Sequence, residues 1–153
     1  MEVEIPAVPF EDVKRVIEDT YRDLWSRAFG GHSGLMPATL EVRSQAMSAG
    51  YRQNHNTIVL GVGPYDLETD GIDKPERDPQ WLSDLVHELV HEYQAKVVKG
   101  AATSEGQSLR EQYSALYPQP GHGEDFFTGV PLFANIVGKP VKEFVEWIAP
   151  SPF

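Results

Sequence analysis

Residues 78–96 read DPQWLSDLVHELVHEYQAK, with histidines at positions 87 and 91 and a glutamate at position 88. Asp78 is a suitable helix N-cap, and Pro79 fits the first helical position. Apolar residues then recur at helical spacing, which predicts an amphipathic helix that runs to about Val98 and stops at Gly100. The apolar stripe comprises Trp81, Leu82, Leu85, Val86, Leu89, Val90 and Tyr93. The two histidines lie beside this stripe, and we expect the stripe to pack inward.

On a helix, residues four positions apart lie about one turn from each other, so His87 and His91 can chelate one metal ion. Glu88 is rotated by about 100° from His87, which makes it a poor third ligand but lets it reach a water on the ion. A bound ion lowers the pKa of its water to about 7, and a neighbouring carboxylate can take the proton. The spacing therefore predicts metal-assisted hydrolysis with Glu88 as the general base. A polar helix face without metal is the alternative interpretation.

The chain contains no cysteine, so nitrogen and oxygen atoms must supply every ligand of a metal site. The residues after His91 read EYQAKV, which excludes the metzincin pattern of a further glycine and histidine. Glu105 and Glu111 are candidates of the gluzincin kind, in which a following helix supplies a glutamate. His122, in PGHGEDFF, is the candidate we favour, because the flanking glycines let the backbone bring its imidazole close to the ion.

The pairing of LVHELVHEY with the later GHGEDF resembles the SprT-like zinc metallopeptidase family, which includes the Spartan-like protease domain. The resemblance covers roughly residues 40–127 and includes a strand ending in IVL ahead of the motif helix. It implies an α+β, zincin-like fold in which a small antiparallel sheet packs against the HExxH helix and flanking helices. It also implies that His87, His91 and His122 bind Zn²⁺ and that Glu88 is the catalytic base.

Upstream of the motif helix, the patterns predict one helix and a small sheet. Residues 10–28 have apolar positions at helical spacing, and Gly30 is a natural stop. We predict two antiparallel strands at Leu40–Ala46 and Thr57–Val62, with Gly50–Arg52 as an optional third strand. We further predict that an extended peptide substrate pairs with the edge of the Thr57–Val62 strand.

Downstream of the motif helix, the patterns are helical with interruptions. AATSEGQSL is predicted to be a loop and REQYSALY a short helix. EDFFTGVPLFANIVG is predicted to be helical with a break at Pro131, and Glu124 and Asp125 suit its N-terminal cap. KPVKEFVEWI is predicted to be a last short helix. Because no internal repeat or linker interrupts the chain, we expect residues 1–153 to form a single domain.

Composition narrows the range of partners. The net charge of −10 disfavours direct nucleic-acid binding, because most of the surface repels a phosphate backbone. No apolar run approaches the roughly 20 residues that cross a bilayer. The N-terminal segment is acidic, unlike a secretory signal, so we expect a cytoplasmic protein without membrane association. The segment from Tyr93 to Gly121 looks longer than in compact SprT-like members, and neither a cysteine zinc ribbon nor a basic extension is present.

These patterns predict a zinc metalloendopeptidase that hydrolyses protein or peptide substrates, with Glu88 activating a zinc-bound water. A non-catalytic, zinc-stabilised binding or regulatory module is the alternative, and a fourth ligand such as Glu124 or Asp125 would favour it. A zinc peptidase of another lineage, with a carboxylate as the third ligand, is a further alternative. The patterns leave the substrate, the cleavage specificity and the oligomeric state open.

The remaining polar residues that could take part in catalysis are predicted to be packing or surface residues instead. Three tyrosines can in principle hydrogen-bond an oxyanion, yet each is more often a packing residue: Tyr93, Tyr113 and Tyr117. Asp84 lies one turn before His87, where a carboxylate can orient the imidazole, although a solvated carboxylate is the simpler interpretation. His32 and His55 lie in turn-like segments and are predicted to be surface residues.

Overall fold

The computed structural model describes residues 10–44, 49–62 and 79–151, which form six α-helices and a three-stranded sheet. The helices are α1 Phe10–Phe29, α2 Gln80–Tyr93, α3 Ser104–Tyr113, α4 Glu124–Thr128, α5 Val130–Val137 and α6 Val141–Ile148. The strands are β1 Thr39–Arg43, β2 Gly50–Arg52 and β3 Thr57–Gly61. The predicted α+β class is confirmed. Within the described ranges, every helix is too short or too polar to cross a membrane.

The sheet is mixed rather than antiparallel, which corrects the predicted strand pairing. β1 and β3 run parallel, with Leu40 opposite Ile58, and β2 pairs antiparallel with the other edge of β3. The short connection 53–56 closes a local hairpin between β2 and β3, in which Asn56 adopts a left-handed φ of 46°. Because the hairpin occupies one edge of β3, β1 pairs with the opposite edge. The optional third strand therefore forms with the predicted bounds and determines how the first strand pairs.

β3 is the central strand and is paired along both edges, so the prediction that a peptide pairs with its edge is wrong. Among the described residues, β2 forms the outer edge of the sheet next to the motif helix α2, which it contacts. The first predicted strand extended to Ala46, whereas β1 ends at Arg43 and residues 45–48 lie outside the described part of the chain. A peptide that adds a strand to this sheet near α2 must pair with β2.

The motif helix α2 lies at the centre of the fold, in contact with β2, β3, α1, α5 and α6. It begins at Gln80, with Pro79 as the residue before it, and the predicted cap Asp78 lies outside the described residues. A π-helical turn at Gln94–Val98 continues the helix, and Lys99 and Gly100 then adopt positive φ angles of 49° and 79°. The predicted end of the helix near Val98 and its stop at Gly100 are confirmed.

α2 is buried on almost every side, which an amphipathic pattern does not predict. Its apolar stripe is covered, and three polar residues of the helix, His87, Glu88 and Glu92, are also fully buried. The neighbouring helix α1 buries the apolar face that was predicted from the spacing of its residues. It ends at Phe29, directly before Gly30. A Cβ atom at Gly30 would lie 2.4 Å from the carbonyl oxygen of Ser26, so the stop requires glycine.

The C-terminal half differs from the prediction in where its helices begin. α3 starts at Ser104 rather than after the predicted loop, because the Thr103 hydroxyl accepts a hydrogen bond from the amide of Gly106. The predicted break at Pro131 lies instead at Gly129, and Pro131 occupies the first turn of α5. Gly123, rather than an acidic residue, occupies the cap of α4. The last helix, α6, is confirmed.

Candidate metal centre

Three imidazoles converge at the C-terminal half of α2. The Nε2 atom of His122 lies 3.1 Å from that of His87 and 3.2 Å from that of His91, and the three ligand atoms all lie within 4.8 Å of one another. Two nitrogen ligands on a tetrahedral zinc ion are about 3.3 Å apart, given Zn–N bonds of roughly 2.0–2.1 Å. The three histidines therefore lie close enough to bind a metal ion, as predicted.

The opposite nitrogen of each imidazole faces an oxygen atom. Nδ1 of His87 lies 2.9 Å from the carbonyl oxygen of Ile148. Nδ1 of His91 lies 2.8 Å from the side-chain oxygen of Gln94, and Nδ1 of His122 lies 3.0 Å from the carbonyl oxygen of Gln119. Because these oxygens only accept hydrogen bonds, each Nδ1 carries the proton and each Nε2 presents a lone pair to the shared centre. A shared proton could bridge only one of the two contacts that His122 makes. A cation satisfies all three nitrogens at once, so this donor set fits a metal ion.

A glycine brings the third imidazole into place. Gly121 has a φ of 94°, a conformation that side-chain-bearing residues rarely adopt, whereas Gly123 has an ordinary φ of −89°. The His122 ring then packs edge-on against Phe126 and lies near Tyr117. Burial lowers the pKa of His122, and the hydrogen bond to the Gln119 carbonyl opposes this effect. A neutral imidazole is the form that binds a metal ion.

Glu88 is a fully buried carboxylate, and neither of its oxygens has a hydrogen-bond partner among the described residues. Burial, and to a smaller extent the nearby carboxylate of Asp84, raise its pKa to about 8. The backbone amide of Tyr51, in β2, acts in the opposite direction without meeting the geometry of a hydrogen bond. A cation nearby favours the ionised form of such a group. Buried unsatisfied carboxylates are rare in folded proteins, which marks Glu88 as a functional candidate.

A cavity of about 740 Å³ opens beside the three histidines. β2 and the π-helical turn both line it, and His91, Gly121 and Asp125 also contribute to its wall. Tyr51 of β2 lines this cavity, and its backbone lies near the Glu88 carboxylate. The cavity therefore extends from the outer strand of the sheet to His91, one of the three candidate metal ligands.

The competing ligand candidates lie elsewhere. Glu105 and Glu111 are exposed on α3, and the metal-capable group found among the described residues contains only the three histidines. Asp125 accepts a hydrogen bond from the amide of Phe126, and no fourth protein ligand joins the group within the described ranges. Among the described residues, the arrangement thus provides three candidate protein ligands.

The structural interpretations of Tyr117, His32 and His55 agree with the structure. The Tyr117 hydroxyl donates to the Val145 carbonyl at 2.6 Å, which makes it a buried packing residue. His32 and His55 are exposed, as predicted. Asp84 accepts a hydrogen bond from Gln80, while the Nδ1 atom of His87 is oriented by a main-chain carbonyl.

Two buried or half-buried polar groups were missed at the sequence level. The Glu92 carboxylate accepts hydrogen bonds from Tyr21 at 2.8 Å, from Trp25 at 3.0 Å and from Lys96. Because Tyr21 and Trp25 are on α1, these hydrogen bonds join α1 to α2. Gln94 contacts His91 at the edge of the metal centre. The position of Gln94, three residues after His91, is a signal that could have identified it, because such pairs are neighbours on a helix. The i,i+4 spacing of Glu92 and Lys96 is a similar signal, whereas Tyr21 and Trp25 are distant in sequence and carry none.

Comparison of the chain with protein-family models, curated proteins and solved structures finds no significant match of any of the three kinds. The resemblance to the SprT-like family therefore stays a prediction.

Proposed function

We propose that the chain is a zinc-dependent endopeptidase of the SprT-like type, and that it cleaves protein or peptide substrates. One observation carries the proposal. Three Nε2 lone pairs converge beside a cavity that His91 lines, and a buried carboxylate without a hydrogen-bond partner, Glu88, lies near Tyr51 of the cavity wall. A metal-binding role alone would explain the histidines but not Glu88.

The ligand set favours zinc among the common metal ions. Three neutral imidazoles and no thiolate suit zinc, copper, iron or nickel, whereas magnesium and calcium prefer oxygen ligands. Zinc sites with three protein ligands and one open position are typical of hydrolytic enzymes. Each imidazole is also held by an oxygen acceptor at Nδ1, as metal-binding histidines usually are.

A bound zinc ion supplies Lewis acidity toward a carbonyl oxygen and lowers the pKa of water. Glu88 then serves as the general base, which takes a proton from the attacking water and returns it to the leaving amine. Its position one residue after His87 places it on a rigid helix, so little reorganisation is needed. Burial raises the pKa of this carboxyl group, whereas a cation held by the three histidines would favour the ionised form that a general base requires.

An extended substrate has a place to bind. β2 is the outer strand beside α2, and a peptide that pairs with it lies across the cavity that reaches His91. Main-chain hydrogen bonds to β2 would hold the peptide without a strong requirement for particular side chains. This arrangement suits cleavage of unfolded or flexible protein segments.

The test is a comparison of wild-type protein with Glu88→Gln, using a mixture of peptides derived from digested proteome as substrate. Glu88→Gln is expected to bind zinc with unchanged stoichiometry and to lose peptide cleavage, because an amide cannot accept the proton. Glu111→Gln, an exposed glutamate on α3, is the matched control and should cleave as the wild type does. Full cleavage by Glu88→Gln would overturn the proposed mechanism.

A non-catalytic, metal-stabilised module is a second candidate, and the burial of the site favours it. His87 and Glu88 are fully buried, and His122 is only 7% exposed. In that case zinc removal would unfold the protein, whereas no peptide in the mixture would be cleaved by zinc-loaded wild type. The same experiment therefore separates the two functions.

A further inference from the structure

The side chain of Gln94 contacts both segments that carry metal-binding histidines. Its oxygen lies 2.8 Å from Nδ1 of His91 on α2, and its nitrogen donates to the carbonyl of Gly121 at 3.1 Å. Gly121 directly precedes His122, in the bend whose φ of 94° brings the third imidazole to the centre. One amide thus contacts both the motif helix and the loop that carries His122.

An amide group is the side chain whose chemistry fits this position. Nδ1 of His91 must keep its proton so that Nε2 can bind a cation, and this requires an acceptor. The Gly121 carbonyl requires a donor. The side-chain oxygen of Gln94 is the acceptor for His91, and its NH₂ group is the donor to Gly121. If the amide were rotated by 180°, its NH₂ group would face the Nδ1–H of His91 and its oxygen would face the Gly121 carbonyl, and neither pair could form a hydrogen bond. A carboxylate could serve only the histidine, and an apolar side chain would serve neither.

The other two imidazoles are oriented differently. Nδ1 of His87 and of His122 contact main-chain carbonyls, which no substitution of a side chain removes directly. Nδ1 of His91 instead contacts a side-chain oxygen, that of Gln94. The geometry of the site is therefore more sensitive to the residue at position 94 than to either main-chain acceptor.

The local backbone places Gln94 where it can reach both groups. The α-helix changes to a π-helical turn at this residue. The backbone N–H of Gln94 contacts the carbonyl oxygens of both Val90 and His91. π-Helical turns are rare and occur frequently at functional sites. The turn also forms part of the cavity wall, to which both Gln94 and His91 contribute.

We infer that Gln94 is a positioning residue of the metal centre, which fixes the tautomer of His91 and anchors the bend that carries His122. The inference rests on the metal site of the proposed function, but it does not require peptide cleavage. Loss of a partner that orients a metal ligand typically weakens metal binding by about 10–100-fold. Replacement of Gln94 should therefore weaken zinc binding within this range.

The experiment measures zinc affinity by competition with a chromophoric chelator, together with the ¹⁵N spectrum of the histidine rings in the metal-free protein. Gln94→Met removes both contacts and should weaken zinc binding by about 10–100-fold, with His91 no longer held as the Nδ1–H tautomer. Gln94→Glu keeps the acceptor for His91 but loses the donor to Gly121, so its affinity should lie between the wild type and Gln94→Met. Gln107→Met, at an exposed position of α3, is the control and should bind zinc as the wild type does.

Two outcomes would overturn the inference. If Gln94→Met and Gln94→Glu both bind zinc within about twofold of the wild type, Gln94 has no positioning role, since an orienting partner contributes at least about tenfold. If the wild type binds no zinc, the metal site fails and the inference fails with it. If zinc binding weakens as expected but the wild type cleaves no peptide, the inference stands and only the proposed peptidase function fails.

Discussion

The Nε2 atom of His122 lies 3.1 Å from the Nε2 atom of His87, although 35 positions separate the two residues in the chain. Both nitrogens present lone pairs, because both Nδ1 atoms face carbonyl oxygens. Such a contact between two acceptors is unfavourable unless a proton or a cation lies between them. The fold therefore brings together two groups that have little reason to meet except to bind a third.

Replacement of His122 by alanine is expected to abolish tight zinc binding, because it removes one of three ligands from the centre. The loss should exceed the roughly 10–100-fold effect of removing an orienting partner. Zinc content after dialysis against a weak chelator measures the effect, and the wild type should retain one ion per chain. Glu105→Ala and Glu111→Ala serve as controls, since both glutamates are exposed on α3. Loss of zinc from either control, with retention by His122→Ala, would refute the assignment of the third ligand.

Gly121→Ala should destabilise the bend by about 1–3 kcal/mol, because alanine is strained at a φ of 94°. The strain lies in the backbone, since a Cβ atom at this position would come no closer than 3.8 Å to the His91 ring. Urea unfolding of the metal-free protein measures the change in free energy, and a zinc titration measures the weaker affinity that should accompany it. Gly123→Ala is the control, because its φ of −89° is open to any residue. Equal effects of the two substitutions would contradict this account.

Gly106→Ala is expected to lower the free energy of unfolding by about 1–3 kcal/mol, because α3 packs too closely on α4 to admit a methyl group. The added Cβ would lie 2.2 Å from the Thr128 hydroxyl oxygen and 2.8 Å from the Glu124 carbonyl oxygen. In an exposed helix the same change would instead stabilise by about 1 kcal/mol. The sign of the change, measured by urea unfolding, is thus diagnostic. Gly31→Ala, where a Cβ would meet no atom within 4 Å, is the control and should have little effect.

Glu92→Ala should destabilise the protein by about 3–5 kcal/mol, since it leaves buried donors without their shared acceptor. The donors are Tyr21 and Trp25 on α1 and Lys96 in the π-helical turn that follows α2. Thermal and urea unfolding measure the loss. Removal of an exposed carboxylate by Glu111→Ala should stay within about 0.5 kcal/mol of the wild type. A similarly small effect of Glu92→Ala would show that the network contributes little to the joint between the two helices.

Much of the metal centre is predictable from local patterns. The spacing of His87 and His91 on a helix places them on one face whatever surrounds that helix, because helical geometry is set by the backbone. The glycine before His122 also indicates a bend with an unusual backbone conformation, and Gly121 has the positive φ that such a bend requires. The helix α1 and the end of the motif helix near Val98 follow equally from periodicity and from glycine stops.

The strand pairing and the orientation of the imidazoles depend on tertiary structure. The hairpin of β2 and β3 occupies one edge of β3, so β1 pairs with the other edge, and residue alternation within a strand carries no information about the direction of its partner. Likewise, His87 is oriented by the carbonyl of Ile148, which lies 61 positions away. Main-chain carbonyls are the same at every residue, so no side-chain pattern can mark the one that serves as a partner.

The sequence by itself therefore determined which helix carries the motif, which histidines can reach one ion and which glycine permits the bend. Tertiary structure decided that α2 is buried on nearly all sides, that β2 rather than β3 forms the edge beside it, and that Gln94 links α2 to the bend. The reason is physical. Helical periodicity and backbone strain act over a few residues, whereas burial, strand order and hydrogen bonds to main-chain atoms depend on which distant segments share the same space.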